Sequence, residues 1–153
     1  MCVPVNLREH AEWVAGDPFA RSLGIELIEA GPGTSVVAMT VREEMLNSHE
    51  TAHGGVVFSL ADAAFAAASN SHGSLAVALE ISINYVAPAT LGDRLVAEAR
   101  EESLGRRIGV YRLKVTKKDG TLVAIAQATA YRKQTSVEAP MPHRPHSTEP
   151  GPQ

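Results

Sequence analysis

One residue in the most apolar stretch of this chain is hard to explain by packing. From Val56 to Ser71 the sequence holds a single charge, Asp62. A carboxylate among Ala, Leu and Phe loses hydration at a cost of several kcal/mol unless a partner or a proton compensates. Asp is also a mediocre helix former, and Asp62 lies about two turns into the segment, too deep to cap it. A residue that is poor for the helix and costly for the core points to function.

Gly54-Gly55 lies just ahead of that segment. The first amides of a helix have no intrahelical partner and carry the positive end of its dipole. A glycine there lets a substrate come close to the backbone. Together these features make an oxyanion hole for a polarised carbonyl. By itself, a Gly-Gly pair before a helix also reads as an ordinary turn.

A second motif is a decoy. His49-Glu50-Thr51-Ala52-His53 matches the H-E-x-x-H zinc-protease pattern. That pattern binds metal only on a helix, where residues four apart share a face. Asn47-Ser48 before it and Gly54-Gly55 after it argue against a helix, and the glycine and third histidine of the extended pattern are absent, positions 56 and 59 being Val and Ser. No metal and no cofactor are expected. Ser59 lacks the G-x-S-x-G setting of a nucleophile. Cys2 sits beside the start of the chain, unsuited to a catalytic thiol. Gly105-Arg106-Arg107 places two guanidinium groups at a turn, where they either bind phosphate or are simply solvated.

The elements that would position these residues follow from periodicity. Leu7 to Ala15 reads as a short helix with Trp13. Asp17-Pro18 reads as a cap and first turn of a second helix, stopped at Gly24. Ile25–Glu29 and Thr34–Arg42 read as strands joined at Gly31-Pro32-Gly33. Val56 to Ser69 is Ala-rich and apolar on all sides, which predicts a helix buried on every face. Leu79, Ile81, Ile83 and Tyr85 alternate with Glu80, Ser82 and Asn84, the period of a strand. Three more strands are expected at Arg94–Glu101, Ile108–Thr116 and Thr121–Arg132, with Asp119-Gly120 as a hairpin turn. One apolar helix among six antiparallel strands predicts an α+β sheet curled around that helix.

Residues 1–133 are expected to form one domain. Residues 134–153 carry five prolines and almost no apolar side chains, the composition of a disordered tail. The chain has 153 residues, 14 basic and 17 acidic, for a formal net charge of -3. That balance argues against nucleic-acid binding. A single cysteine cannot form an internal disulfide, which suits a reducing compartment. With no apolar run of membrane length and no signal-like start, a cytoplasmic location away from membranes is expected.

Several of these segments also resemble a known family. Met45-Leu46-Asn47, His49, His53-Gly54-Gly55, Phe58-Ser59-Leu60-Ala61-Asp62 and Phe65-Ala66 are similar to the PaaI group of hotdog-fold thioesterases. Ile83-Asn84-Tyr85 before Pro88, and Gly92-Asp93, extend the resemblance over about Phe19 to Arg132. It implies a hotdog fold and hydrolysis of an acyl-CoA, with a phenylacetyl-type aromatic acyl group favoured. It implies that Asp62 attacks the thioester or activates water. Gly54 would polarise the carbonyl, Asn47 would orient water or touch the carbonyl, and His53 would shape the loop. Gly55, Asn84, Arg106 and Arg107 would meet the substrate or its CoA. It further implies a homo-oligomer, a tetramer built from dimers, with active sites shared between subunits. Some hotdog thioesterases carry a hydroxyl one helical turn after the acid; here that position is Ala66. Two other readings use the same fold: a hydratase or dehydratase built on His53 and Asp62, and a non-catalytic acyl-CoA-binding module that would not need Asp62.

Overall fold

The computed structural model describes Glu9, Trp13 and residues 17–136, the last three without their side chains. Glu9 and Trp13 are helical; the rest of the expected first helix, and the tail beyond residue 136, lie outside the described residues.

The helix α1 (Pro18–Ser22) starts as its sequence requires. Asp17 caps it, its carboxylate accepting from the amides of Phe19 and Ala20, with Pro18 in the first turn. The strands follow in order: β1 (Glu26–Gly31), β2 (Thr34–Thr40), β3 (Ser74–Tyr85), β4 (Arg94–Leu104), β5 (Ile108–Lys117) and β6 (Leu122–Ser136). Between β2 and β3 come a 3-10 turn (Glu43–Met45) and the helix α2 (Gly54–Ser69). The strands form one antiparallel sheet in the order β1-β2-β4-β5-β6-β3. β3 starts earlier than its alternation suggested. Irregularities in register between Ser74 and Ala76 and between Ala78 and Glu80 hide the period there. β6 likewise runs past Arg132 to Ser136, pairing with the start of β3.

The sheet presents many small residues on its inner face. Ala124, Ala126, Ala128 and Ala130 point inward from β6, and Ala97 and Ala99 from β4, all buried. Larger side chains fill the remaining space: Leu60 and Phe65 of α2 against Val37, Met39, Leu95, Tyr111 and Leu113. Each such burial contributes roughly 1.5–3 kcal/mol. The rings of Phe65 and Tyr111 meet edge to face at 5.4 Å. Polar contacts fix the helix to the sheet. The buried Ser35 hydroxyl donates to the carbonyl of Ala64 at 2.6 Å. Asn70 closes the C-terminal end, donating to the carbonyls of Ala66 and Ala76 and accepting from the Ala76 amide.

The expectation that α2 is buried on every face does not hold for the chain alone. Val57, Leu60, Ala61, Ala64, Phe65, Ala67 and Ala68 are buried. Ser59, Asp62, Ala63 and Ala66 are only half-buried, and Gly55 is exposed. These residues recur at three- and four-residue spacing, so they form one open stripe. The sheet covers only the side of the helix that it wraps.

The β1–β2 turn depends on one glycine. Gly33 has φ +69, and a Cβ there would lie 2.8 Å from that of Glu101. Its amide also donates to the buried Ser71 hydroxyl. Gly33→Ala is therefore expected to destabilise the protein by about 1–3 kcal/mol. Thermal unfolding measures this; an unchanged midpoint would show that the turn relaxes freely.

Candidate active site

The site is built at the N-terminal end of α2, from the loop that precedes it. Asn47 organises that loop. Its side-chain oxygen accepts from the amides of His49 and Thr51, and its side-chain nitrogen donates to the Thr51 hydroxyl. The Asn47 amide also donates to the Thr51 carbonyl at 2.8 Å. Glu50 takes φ +60 inside this tight turn. The H-E-x-x-H stretch is thus turn and bridge, not helix, as its flanking residues suggested. Among the described residues no three His, Cys, Asp or Glu side chains cluster as metal ligands would.

α2 begins at Gly54, not after the glycine pair, because His53 is its cap. The Nδ1 of His53 accepts from the Gly55 amide at 2.9 Å. Histidine is an unusual cap, but the neutral ring offers one acceptor nitrogen, and the cap uses it. Its proton then sits on Nε2. The Gly55 amide is thereby occupied. The Gly54 amide is not: among the described residues nothing accepts from it. It carries the positive end of the helix dipole into a cavity of about 350 Å³, lined by Asn47, Thr51, Gly54, Tyr85, Pro88 and Val123 among others.

Asp62 stands on the open stripe of α2, half-buried between Ser59 and Ala66. It makes no hydrogen bond or ion pair among the described residues. Burial pushes its carboxyl above the ordinary Asp range, and the negative charge of Asp17 adds to the effect. Asp62 does not line the cavity. Eight residues of helix separate it from Gly54, or about 12 Å of rise. Ser59 offers no help as a nucleophile here, since its hydroxyl donates to the Gly55 carbonyl at 2.7 Å.

The remaining candidates are not brought to this cavity within one chain. Asn84 pairs across β3 and β6 with the exposed Ile125, on the outer face of the sheet. Its neighbours Ile83 and Tyr85 point the other way, as alternation demands. Arg106 and Arg107 lie exposed at the β4–β5 turn. Arg107 donates to the Tyr131 hydroxyl at 2.7 Å. The ten residues of β5, roughly 30 Å of extended strand, lie between Arg107 and the Val123 end of the cavity. Tyr85 and Thr51 line the cavity and were passed over as site residues in the sequence. The signal for Tyr85 was present: it is the last inward position in the alternation Ile81, Ile83, Tyr85.

The arrangement therefore offers an amide dipole in a cavity and a carboxylate of raised basicity, both without a partner among the described residues. These are the two groups that hydrolysis of an activated acyl bond needs. Comparison with known proteins agrees. The profile of the thioesterase superfamily matches residues 49–124. The acyl-coenzyme A thioesterase PaaI of Escherichia coli is 41% identical over 116 residues, covering 76% of this chain and 83% of that protein. The structure of the E. coli PaaI protein superposes with a TM-score of 0.79 at 36% identity, over 84% of this chain and 96% of that one. A Streptococcus mutans protein, smu.793, solved bound to acetyl CoA, gives a TM-score of 0.69 at 33% identity, over 71% of this chain and 88% of that one. With this fold, this site and these relatives, the chain belongs to the thioesterase superfamily, as a hotdog-fold thioester hydrolase of the PaaI type.

Proposed function

We propose that this thioesterase hydrolyses aromatic acyl-CoA thioesters of the phenylacetyl type, in the cytoplasm, with active sites shared between two subunits of a homo-oligomer. The observation that carries the reading is the pairing of a free Gly54 amide with a free, half-buried Asp62. Support for the acyl group comes from the E. coli relative, whose structure is described as a protein of phenylacetic acid degradation. The smu.793 complex supports CoA as the carrier.

Support for shared sites comes from distance and from uncovered surface. A thioester carbonyl held at the Gly54 amide cannot reach an Asp62 about 12 Å away along the same helix. A second copy laid on the open stripe brings its own Asp62. β3 is an edge strand twelve residues long, with Leu79 59% exposed and, among the described residues, only β6 paired to it. Such an edge invites another strand. The same association gives Arg106, Arg107 and Asn84 of one subunit their route to another subunit's substrate. Assembly of dimers into a tetramer belongs to the same proposal, as does a tail that the catalytic domain does not need, starting after β6 ends at Ser136 rather than at residue 134.

In this reading Asp62 takes a proton from water, and the resulting hydroxide adds to the thioester carbonyl. The Gly54 amide stabilises the oxyanion, and Asn47 donates its remaining amide hydrogen to the same carbonyl or to the water. His53 holds the helix start in register. Collapse of the intermediate breaks the carbon–sulfur bond, and the departing CoA thiolate recovers the proton from Asp62. A thioester is activated enough for one carboxylate and one amide dipole to suffice.

The experiment is thiol release from phenylacetyl-CoA, a hydroxylated phenylacetyl-CoA, and short and long aliphatic acyl-CoAs. The highest kcat/KM is expected on the aryl-acetyl substrates. A preference for aliphatic chains would overturn the substrate assignment. Tight binding without turnover would favour a non-catalytic module.

A further inference from the structure

Tyr85 has no role in the mechanism above, yet it touches the oxyanion-hole glycine. Its hydroxyl donates to the Gly54 carbonyl at 3.0 Å. Its ring packs against the same residue: a Cβ on Gly54 would lie 3.3 Å from the ring carbon bearing the hydroxyl. The side chain lines the cavity, and 53% of the residue is exposed in the single chain.

The helix start needs such a restraint. Gly-Gly is the least constrained pair of residues with which a helix can begin. An amide that stabilises an oxyanion must be aimed before the charge develops, because reorientation during the reaction has a cost. Two contacts hold the Gly54–Gly55 peptide from opposite sides. On its N–H side the Gly55 amide donates to His53 Nδ1 at 2.9 Å. On its C=O side Tyr85 donates to the Gly54 carbonyl. The Gly54 N–H shares that Cα, and the His53 carbonyl of its own peptide accepts from the amides of Val56 and Val57, so holding the next peptide as well limits how far the N–H can turn away from the cavity. A side chain at this position would press on Tyr85, which would have to give by a few tenths of an ångström.

We propose that Tyr85 is a positioning residue of this thioesterase, holding the Gly54 amide on the line of the developing oxyanion. It rests on the reading that Gly54 supplies that amide. It joins the end of β3 to the start of α2 across the mouth of the cavity. It also explains why a polar aromatic, rather than another Ile, ends the inward series of β3.

The test is Tyr85→Phe, which deletes one oxygen and keeps the ring. Expected is a fall in kcat of about tenfold with KM nearly unchanged, the loss for a donor misaimed rather than removed. The fall should be the same at every pH across the profile, because the hydroxyl moves no proton. Thermal unfolding, run in parallel, should show a folded oligomer. Three results would overturn the proposal: unchanged kcat; a raised KM at constant kcat, which would make Tyr85 a wall for the acyl group; or a change confined to the alkaline limb, which would make it an acid–base group. Failure of the underlying reading looks different. Wild-type protein would then release no thiol, or Gly54→Pro would hydrolyse at the wild-type rate.

Discussion

Asp62→Asn is expected to lower kcat by about a thousandfold, within the range for a lost general base, and to leave a protein that melts at a higher temperature than wild type. Both effects have one cause. The carboxylate is half-buried with no hydrogen-bond or ion-pair partner among the described residues, so its charged form is disfavoured and its pKa is raised above that of an ordinary Asp. A raised carboxylate pKa means that the folded state binds its proton more tightly than the unfolded state does. The charge therefore opposes folding at pH values above the folded-state pKa, and the penalty disappears as pH falls through it. The uncharged Asn never carries that penalty. The gap in melting temperature between the two proteins should narrow as the pH is lowered. The same group sets the acid limb of kcat/KM, which should lie at higher pH than an ordinary Asp would place it. Hydrolysis assays and thermal melts across pH measure both. An active Asp62→Asn removes Asp62 from the mechanism. A variant that melts lower than wild type at neutral pH shows that Asp62 has a partner in the oligomer.

Gly54→Pro is the complementary change, because it deletes one N–H at the cost of a close contact with Tyr85. Proline is tolerated at the first position of a helix, where the missing amide has no intrahelical acceptor. Gly54 occupies that position in α2, and His53 has φ -58 and ψ 137, the extended conformation favoured before proline. The expected fall in kcat is about 10²–10³-fold, the usual cost of one oxyanion donor. Gly54→Ala is the control. It adds the same contact with Tyr85 but keeps the N–H, so its loss should be about tenfold or less. Equal losses in the two variants would mean that crowding, not the amide, explains the effect.

The same pair of variants tests whether sites are shared. Asp62→Asn and Gly54→Pro are each inactive in this reading. Mixed in one dimer, they rebuild one site with a wild-type amide from the first and a wild-type carboxylate from the second. Statistical mixing should restore about a quarter of wild-type activity, half the dimers being mixed with one good site in two. No recovery after verified subunit exchange would place both groups in one chain.

Much of this molecule was legible in its residues. The α2 segment was recognisable because Ala-rich apolar sequence without Gly or Pro can hardly be anything but helix. The inward face at the end of β3 followed from the alternation of Ile81, Ile83 and Tyr85. Asp62 was legible as a misfit, since a charge in such a segment must have a reason. The Gly54 amide was legible from the chemistry of helix starts, although the helix begins two residues earlier than periodicity alone suggested.

What the sequence determined by itself was local: which segments have helical or extended period, which residue breaks the pattern, and which backbone amides lack partners. The tertiary structure decided everything that depends on distance between segments. It made His53 the cap that occupies the Gly55 amide. It turned Asn84 to the outer face and Tyr85 onto Gly54. It set Arg106 and Arg107 a strand's length from the cavity. It left one stripe of α2 open, where sequence had implied burial on every face. The physical reason is that apolar composition records whether a surface must leave water. It does not record whether the chain's own sheet or a second copy of the chain does the covering.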